Sequence, residues 1–252
     1  MNLTVLASAV YLPGDDPGAP PPERAHEVLG RKGLLGKDAA TRLAICVAHR
    51  TLERPDGAPR PAGPADPRTA VVVSSNLGNV AAVRGVVRTV RESGGRGVSP
   101  LLAPVLSSNV IAAALAIWFR WSGPNLMICS GATGGLDAVA SAALLLRSGR
   151  AERVVVVGCE PADPDAAAVY GRPLRACAAC LILARSGPAG SPHVGAVRPV
   201  LDGGAAADSY GADGVLRVAE AAAAVRAGSS TGRFVVCGDA ADGWRGVRVS
   251  AS

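Results

Sequence analysis

The side chains readiest for thiolate, imidazole or soft-metal chemistry are few: the cysteines at 46, 129, 159, 177, 180 and 237, and the histidines at 26, 49 and 193. Cys177-Ala-Ala-Cys180 is a lone close pair. No second pair stands at zinc spacing and no histidine follows it closely, and it runs into an apolar stretch where sulfur is more often packed than ligating. No metal site and no cofactor is expected. The spacing best suited to nucleophilic chemistry lies in Gly123-Pro-Asn-Leu-Met-Ile-Cys-Ser-Gly-Ala-Thr-Gly-Gly-Leu136. Leu126, Met127, Ile128 and Cys129 read as a short strand. Ser130, Gly131, Thr133, Gly134 and Gly135 are small enough for a helix to begin tight against its end. Leu136, Val139, Ala140, Ala143 and Leu144 then recur at helical spacing. Such a turn places one residue at the helix N-terminus, where unpaired backbone N–H groups face outward. That place, suited to a nucleophile, is held by Ala132. Cys129 lies upstream on the strand, and Ser130 has no histidine nearby to activate it.

The elements that position this turn follow from hydrophobic patterning. Residues 2–10 read as a strand and 13–22 as a Pro/Gly/Asp loop. Asp38 is placed to cap a helix whose stripe is Leu43, Ala44, Val47 and Leu52. After a loop at 54–67, residues 69–75 form a continuous apolar strand of the kind covered on both faces. A turn at 76–79 leads into a helix over 80–91, with Val80, Val83, Val87 and Val90 on one face and Arg84, Arg88 and Arg91 on the other. A Gly-rich hinge follows at 93–99. Pro104 starts a further helix that buries Ile111, Leu115 and Trp118. Beyond the elbow helix come strands at 153–158 and 178–184, with a loop at Asp163-Pro-Asp165. The order predicts a three-layer α/β unit in which parallel strands dominate. A second, shorter round follows: 193–201, a helix at 213–226, and strands at 234–237 and 247–249. We divide the chain at 190, a first half over 1–190 and a truncated second half over 191–252.

Composition narrows the function classes. Hydrophobic residues make up 49% but aromatics only 3%, so the core must be aliphatic, which argues against binding single-stranded nucleic acid by stacking. The net charge of +6 comes almost wholly from scattered arginines, Lys32 and Lys37 being the only lysines. That distribution does not make a duplex-binding face but suits an acidic protein partner. The most apolar run, 110–119, stops at Arg120, short of the roughly 20 residues that span a bilayer. The N-terminal segment has no basic leader and reads as a strand. Unpaired buried cysteines suit a reducing cytoplasm.

The stretch 123–136 resembles the nucleophile elbow of the β-ketoacyl synthases, condensing enzymes of the thiolase superfamily. Gly123, Pro124 and Asn125 match its start, Ser130-Gly131 the residues before the cysteine, and Thr133-Gly134 those after it; the cysteine falls on Ala132. The resemblance extends over most of the chain. Residues 34–52 resemble that family's first helix, 69–78 its strand and Gly turn, and 104–123 the Pro-Asn helix. Arg147-Ser-Gly149 with 154–160 resembles its "RSG…AGGAE" strand. The family's first histidine turn falls on Cys237-Gly238-Asp239, and the second has no counterpart before Ser252. The resemblance therefore implies a thiolase-like subunit without catalysis of its own.

Within that family the chain is similar to chain-length factors, in particular the short ones of aryl-polyene and other highly reducing type II polyketide systems. This implies a heterodimer with an active β-ketoacyl synthase that receives chains from acyl carrier protein. It also implies that Leu126, Met127, Ile128 and Cys129 form an edge strand pairing antiparallel with the partner. Tunnel-lining positions carry over to Val80, Val83 and Val87, with Leu102 and Pro104. The alternatives are a thiolase-like acyltransferase using Cys129 or Ser130, and a homodimeric scaffold.

Overall fold

The structure is a computed structural model that describes residues 2–203 and 207–251. Nine strands among these residues join one sheet: β1 (Leu3–Tyr11), β2 (Thr69–Ser74), β3 (Asn125–Ile128), β4 (Arg153–Glu160), β5 (Cys177–Ala184), β6 (His193–Val194), β7 (Arg198–Val200), β8 (Gly232–Asp239) and β9 (Gly243–Ser250). The order is β3-β2-β4-β5-β1-β6-β9-β7, with β8 paired to the other edge of β9. The helices are α1 (His26–Leu29), α2 (Ala39–Thr51), α3 (Val80–Ser93), α4 (Val110–Phe119), α5 (Gly134–Arg147), α6 (Pro164–Tyr170) and α7 (Asp213–Arg226).

The layering follows from the two-residue period of the central strands. Val71, Val73, Val155, Val157, Ala178 and Cys180 face one way, onto α1, α2 and α4. Ala70, Val72, Val154, Val156, Ala179 and Leu181 face the other, onto α5 and α7. Every residue of β2 is buried, as its unbroken apolar run requires. The three-layer unit is thus present, and the β8–β9 hairpin closes over the far side of α5 and α7 with Val235, Cys237, Val247 and Val249. The two inner helices cross at a pair of glycines. A Cβ on Gly135 would lie 2.7 Å from the Gly214 nitrogen, and one on Gly214 would lie 2.6 Å from the Leu136 nitrogen.

Parallel pairing does not dominate, contrary to the sequence expectation. Only β3-β2-β4 is parallel; β5 runs antiparallel to both β4 and β1, and the β6–β9 pairings are antiparallel. Buried apolar runs look alike in either direction. The 161–176 connection, with its short α6, returns the chain to the same end of the sheet, so that Glu160 pairs with Cys177. Asp163-Pro-Asp165 is the start of that helix rather than a loop: the Asp163 side chain accepts from the Ala166 N–H at 2.8 Å, and Pro164 takes the first helical position. Pro104 does not begin α4. It sits inside a 3-10 turn, Pro100–Leu106, and α4 starts at Val110. Asp38 caps α2 as expected, accepting from the Thr41 N–H at 2.7 Å. No helix among the described residues is long and apolar enough to cross a membrane.

Candidate functional site

The elbow forms where β3 ends. Among the described residues its strand pairs with β2 alone, in the register Val71↔Asn125 to Ser74↔Ile128, so β3 is an edge of the described sheet. Leu126 is exposed, and Met127 and Ile128 are partly buried, each packing on an opposite side of the sheet. A 3-10 turn, Gly131–Thr133, then delivers the chain into α5. Asn109 Nδ2 donates to Asn125 Oδ1 at 2.7 Å, and Asn125 Nδ2 to the Ala112 carbonyl at 2.8 Å, which ties the Pro-Asn segment to α4.

The turn is held from three sides. Asn76 clamps the Gly131 peptide, its Nδ2 donating to the carbonyl at 2.9 Å and its Oδ1 accepting from the N–H at 3.1 Å. Asp137 Oδ2 accepts from Ser130 Oγ at 2.7 Å and from Thr133 Oγ1 at 2.6 Å, while its Oδ1 pairs with Arg245 at 3.3 Å. The Ala132 N–H donates to Asp242 Oδ2 at 2.7 Å. Ala132 itself is buried, a methyl group at the helix entrance.

Behind the turn lies Glu160, fully buried at the end of β4. Its carboxyl accepts from the backbone N–H groups of Asn76 (2.7 Å) and Leu77 (3.1 Å) and from Ser75 Oγ (3.2 Å). Burial raises its pKa from the ordinary 4.5 to about 7, and these donors together with the Gly211 backbone offset only part of the rise. Glu160 therefore fixes the loop that carries Asn76, and through Asn76 the elbow.

In front of the turn opens a cleft of about 700 Å³, lined by Asn76, Leu77, residues 129–131, Val169, Tyr170, Arg172, Tyr210 and the β8–β9 turn. Tyr170 and Tyr210 stack with centroids 4.1 Å apart, and Tyr210 holds a left-handed backbone at φ +39°. The lining contains no imidazole among the described residues. His26 lies in α1, His49 is buried against the Pro55 carbonyl, and His193 lies in β6 beside Thr4. Cys237, at the place where the resemblance expects the first histidine, is buried in β8 with its thiol pushed up to about 12.

Cys129 is exposed in this cleft. Its Sγ donates to the Ser75 carbonyl at 3.2 Å, and burial, then the nearby Glu160, raise its pKa, so it rests as a thiol. Ser130 Oγ donates a hydrogen bond to Asp137, whose carboxylate is also paired with Arg245. Cys177 and Cys180 are buried in β5, each thiol pushed up to about 12 by burial.

The tunnel candidates lie apart from the cleft. No residue of α3 is buried. Val83 and Val87 are 38% and 42% exposed, and Val80 is half-buried. The valine face is therefore not core within this chain, while Arg84 and Arg88 reach Asp165 on α6 at 3.0 and 3.8 Å. Leu102 and Pro104 are exposed on the neighbouring 3-10 turn, which Asn79 ties to α3 through the Val105 carbonyl at 3.3 Å. The roles of Asp242, Asn76 and Glu160 were missed in the sequence. Asn76 and Glu160 lie in stretches that matched the family, but nothing local links either of them to the elbow.

Residues 31–212 match the family model of the β-ketoacyl synthase N-terminal domain. A 96-residue segment is 33% identical to 3-oxoacyl-(acyl-carrier-protein) synthase 2 of Vibrio harveyi, and equally to that of Vibrio cholerae serotype O1; it covers 38% of this chain. The chain thus spans about a quarter (23%) of the length of the curated relatives it matches. Among solved structures, it is similar to a chain of the ishigamide ketosynthase/chain length factor (TM-score 0.74, 17% identity, 99% of both chains). A chain of AntDE:AntF, a type II PKS acyl-carrier protein in complex with its ketosynthase bound to the hexaketide, matches with a TM-score of 0.77 at 13% identity over 100% of this chain and 99% of that one. A chain of the ketosynthase ApeO in complex with its chain length factor ApeC from Xenorhabdus doucetiae matches with a TM-score of 0.64 at 14% identity over 99% of both.

Proposed function

Because this chain belongs to the β-ketoacyl synthase family through its N-terminal domain, we propose that it is a non-catalytic, chain-length-factor-type subunit that pairs with an active β-ketoacyl synthase and helps shape the tunnel for the growing chain. The carrying observation is the buried methyl of Ala132 at the elbow, behind a cleft whose lining offers no imidazole among the described residues. Condensation needs a nucleophile and a positioned base, and neither is assembled here. The carbon chain would be held on the partner's cysteine and delivered there by acyl carrier protein.

Two features support pairing. Among the described residues β3 leaves one edge without a neighbour, and an apolar edge is usually paired or covered. In addition, α3 presents Val83, Val87 and Val90 without burying any of them. In this reading Leu126, Met127, Ile128 and Cys129 pair antiparallel with the equivalent partner strand, and Val80, Val83, Val87, Leu102 and Pro104 border the tunnel. The test is expression with and without a full-length β-ketoacyl synthase of a type II system. Stable one-to-one co-purification, with condensing activity abolished by removing the partner's cysteine, supports the proposal. A soluble homodimer that ignores the ketosynthase favours a scaffold, and turnover of acyl thioesters by the chain alone favours an acyltransferase; either outcome defeats it.

A further inference from the structure

The outward-facing amide at the elbow is already occupied. Asp242, which takes the Ala132 N–H at 2.7 Å, comes from the β8–β9 turn, 110 residues further along the chain. The contact is prepared from both sides. On the elbow, Gly131 adopts φ +66° and turns a bare Cα toward the carboxylate; a Cβ there would stand 2.0 Å from Oδ2. On the hairpin, Asp239 Oδ1 accepts from the backbone N–H groups of Ala241 (2.9 Å) and Asp242 (2.8 Å), fixing the turn that presents Asp242. Arg245 on β9 adds a second clasp through Asp137 in the first turn of α5.

We infer that Asp242 is an internal stopper: its carboxylate fills the place an acyl carbonyl oxygen must take to be polarised by the Ala132 N–H, so the elbow refuses acyl thioesters even when a sulfur is restored at position 132. In acyl transfer the residue bearing the nucleophile commonly lends its own backbone N–H to the developing oxyanion. A carboxylate on that N–H removes the donor and sets a negative charge beside the place where negative charge must grow. This inference rests on reading residues 123–136 as a nucleophile cradle and is independent of the partner's identity.

The test uses the full chain in a Cys129→Ala background, with octanoyl-CoA as probe and acylation at position 132 mapped by peptide mass. In the step examined the introduced sulfur bonds to the thioester carbonyl carbon, the bond to coenzyme A breaks, and the thiol proton passes through solvent to the released coenzyme A. Ala132→Cys alone should acylate no faster than a free cysteine. Adding Asp242→Ala should raise the rate about 100-fold, the scale of one oxyanion donor. Adding Asp242→Asn, which leaves an oxygen on the amide, should recover far less. Iodoacetamide, which needs no oxyanion donor, should alkylate all three within about tenfold of each other. Equal acylation of Ala132→Cys with and without Asp242→Ala, whether fast or slow, overturns the inference. The unmodified chain gives a separate reading: the Ala132 amide should be protected from hydrogen exchange, and a freely exchanging amide there would equally sink the stopper. Neither result touches the pairing proposal, which co-purification tests independently.

Discussion

Replacing Glu160 with Gln probes the brace behind the elbow and carries a pH signature. The carboxyl is fully buried and meets an N–H at 2.7 Å on Oε1, and an N–H at 3.1 Å and a hydroxyl at 3.2 Å on Oε2. A glutamine amide must turn its NH2 toward one of these sides and so faces a backbone donor in either orientation. One unpaired buried donor costs about 1–3 kcal/mol. The native carboxyl carries the opposite liability. Its pKa is raised by burial from 4.5 to about 7, so between those values the folded chain holds a proton that the unfolded chain has released. The stability it contributes is fully present below about 4.5 and is lost as pH rises through 7, a total of about 3 kcal/mol. Urea unfolding of both proteins from pH 5 to pH 8 should show the variant weaker by about 1–3 kcal/mol at pH 5. That deficit should close or reverse by pH 8, as only the native protein loses this stability. A deficit that stays constant across the range would refute the reasoning.

Leu126→Arg on β3 should abolish co-purification with a ketosynthase while changing the stability of the isolated chain by no more than about 0.5 kcal/mol, since the side chain is already 38% exposed. Val83→Trp on α3 should leave pairing intact and shorten the products of the assembled complex by mass spectrometry; unchanged chain lengths would remove the tunnel role. Asp38→Ala deletes the side chain that caps α2 through Thr41 and should lower unfolding stability by about 1 kcal/mol in the same urea assay.

The elbow was legible because its information is local. Small residues, a short apolar strand and a helical stripe are contiguous in sequence, and the structure assembles them over Asn125–Ile128, Gly131–Thr133 and Gly134–Arg147. The edge position of β3 was anticipated from the family resemblance. Strand direction was not legible, because the buried runs of β4 and β5 satisfy parallel and antiparallel neighbours alike. Asp163-Pro164 was misread because a turn and a capped helix begin with the same two residues. Asp242 was invisible for a different reason: its contact closes across 110 residues, and a turn aspartate followed by glycine looks like any hairpin end. The valines of α3 were seen as a stripe, but only the folded chain places them partly in solvent, with two arginines of the opposite face tied to Asp165.

A helix with no fully buried side chain is held down only by partial packing against α6 and the neighbouring 3-10 turn and by two surface ion pairs. Such ion pairs contribute little in water and less in salt. In a solitary copy, α3 should therefore open long before the rest of the chain and be the first segment a protease can cut. If the chain pairs as proposed, a copy made in excess of its ketosynthase would open first at this segment.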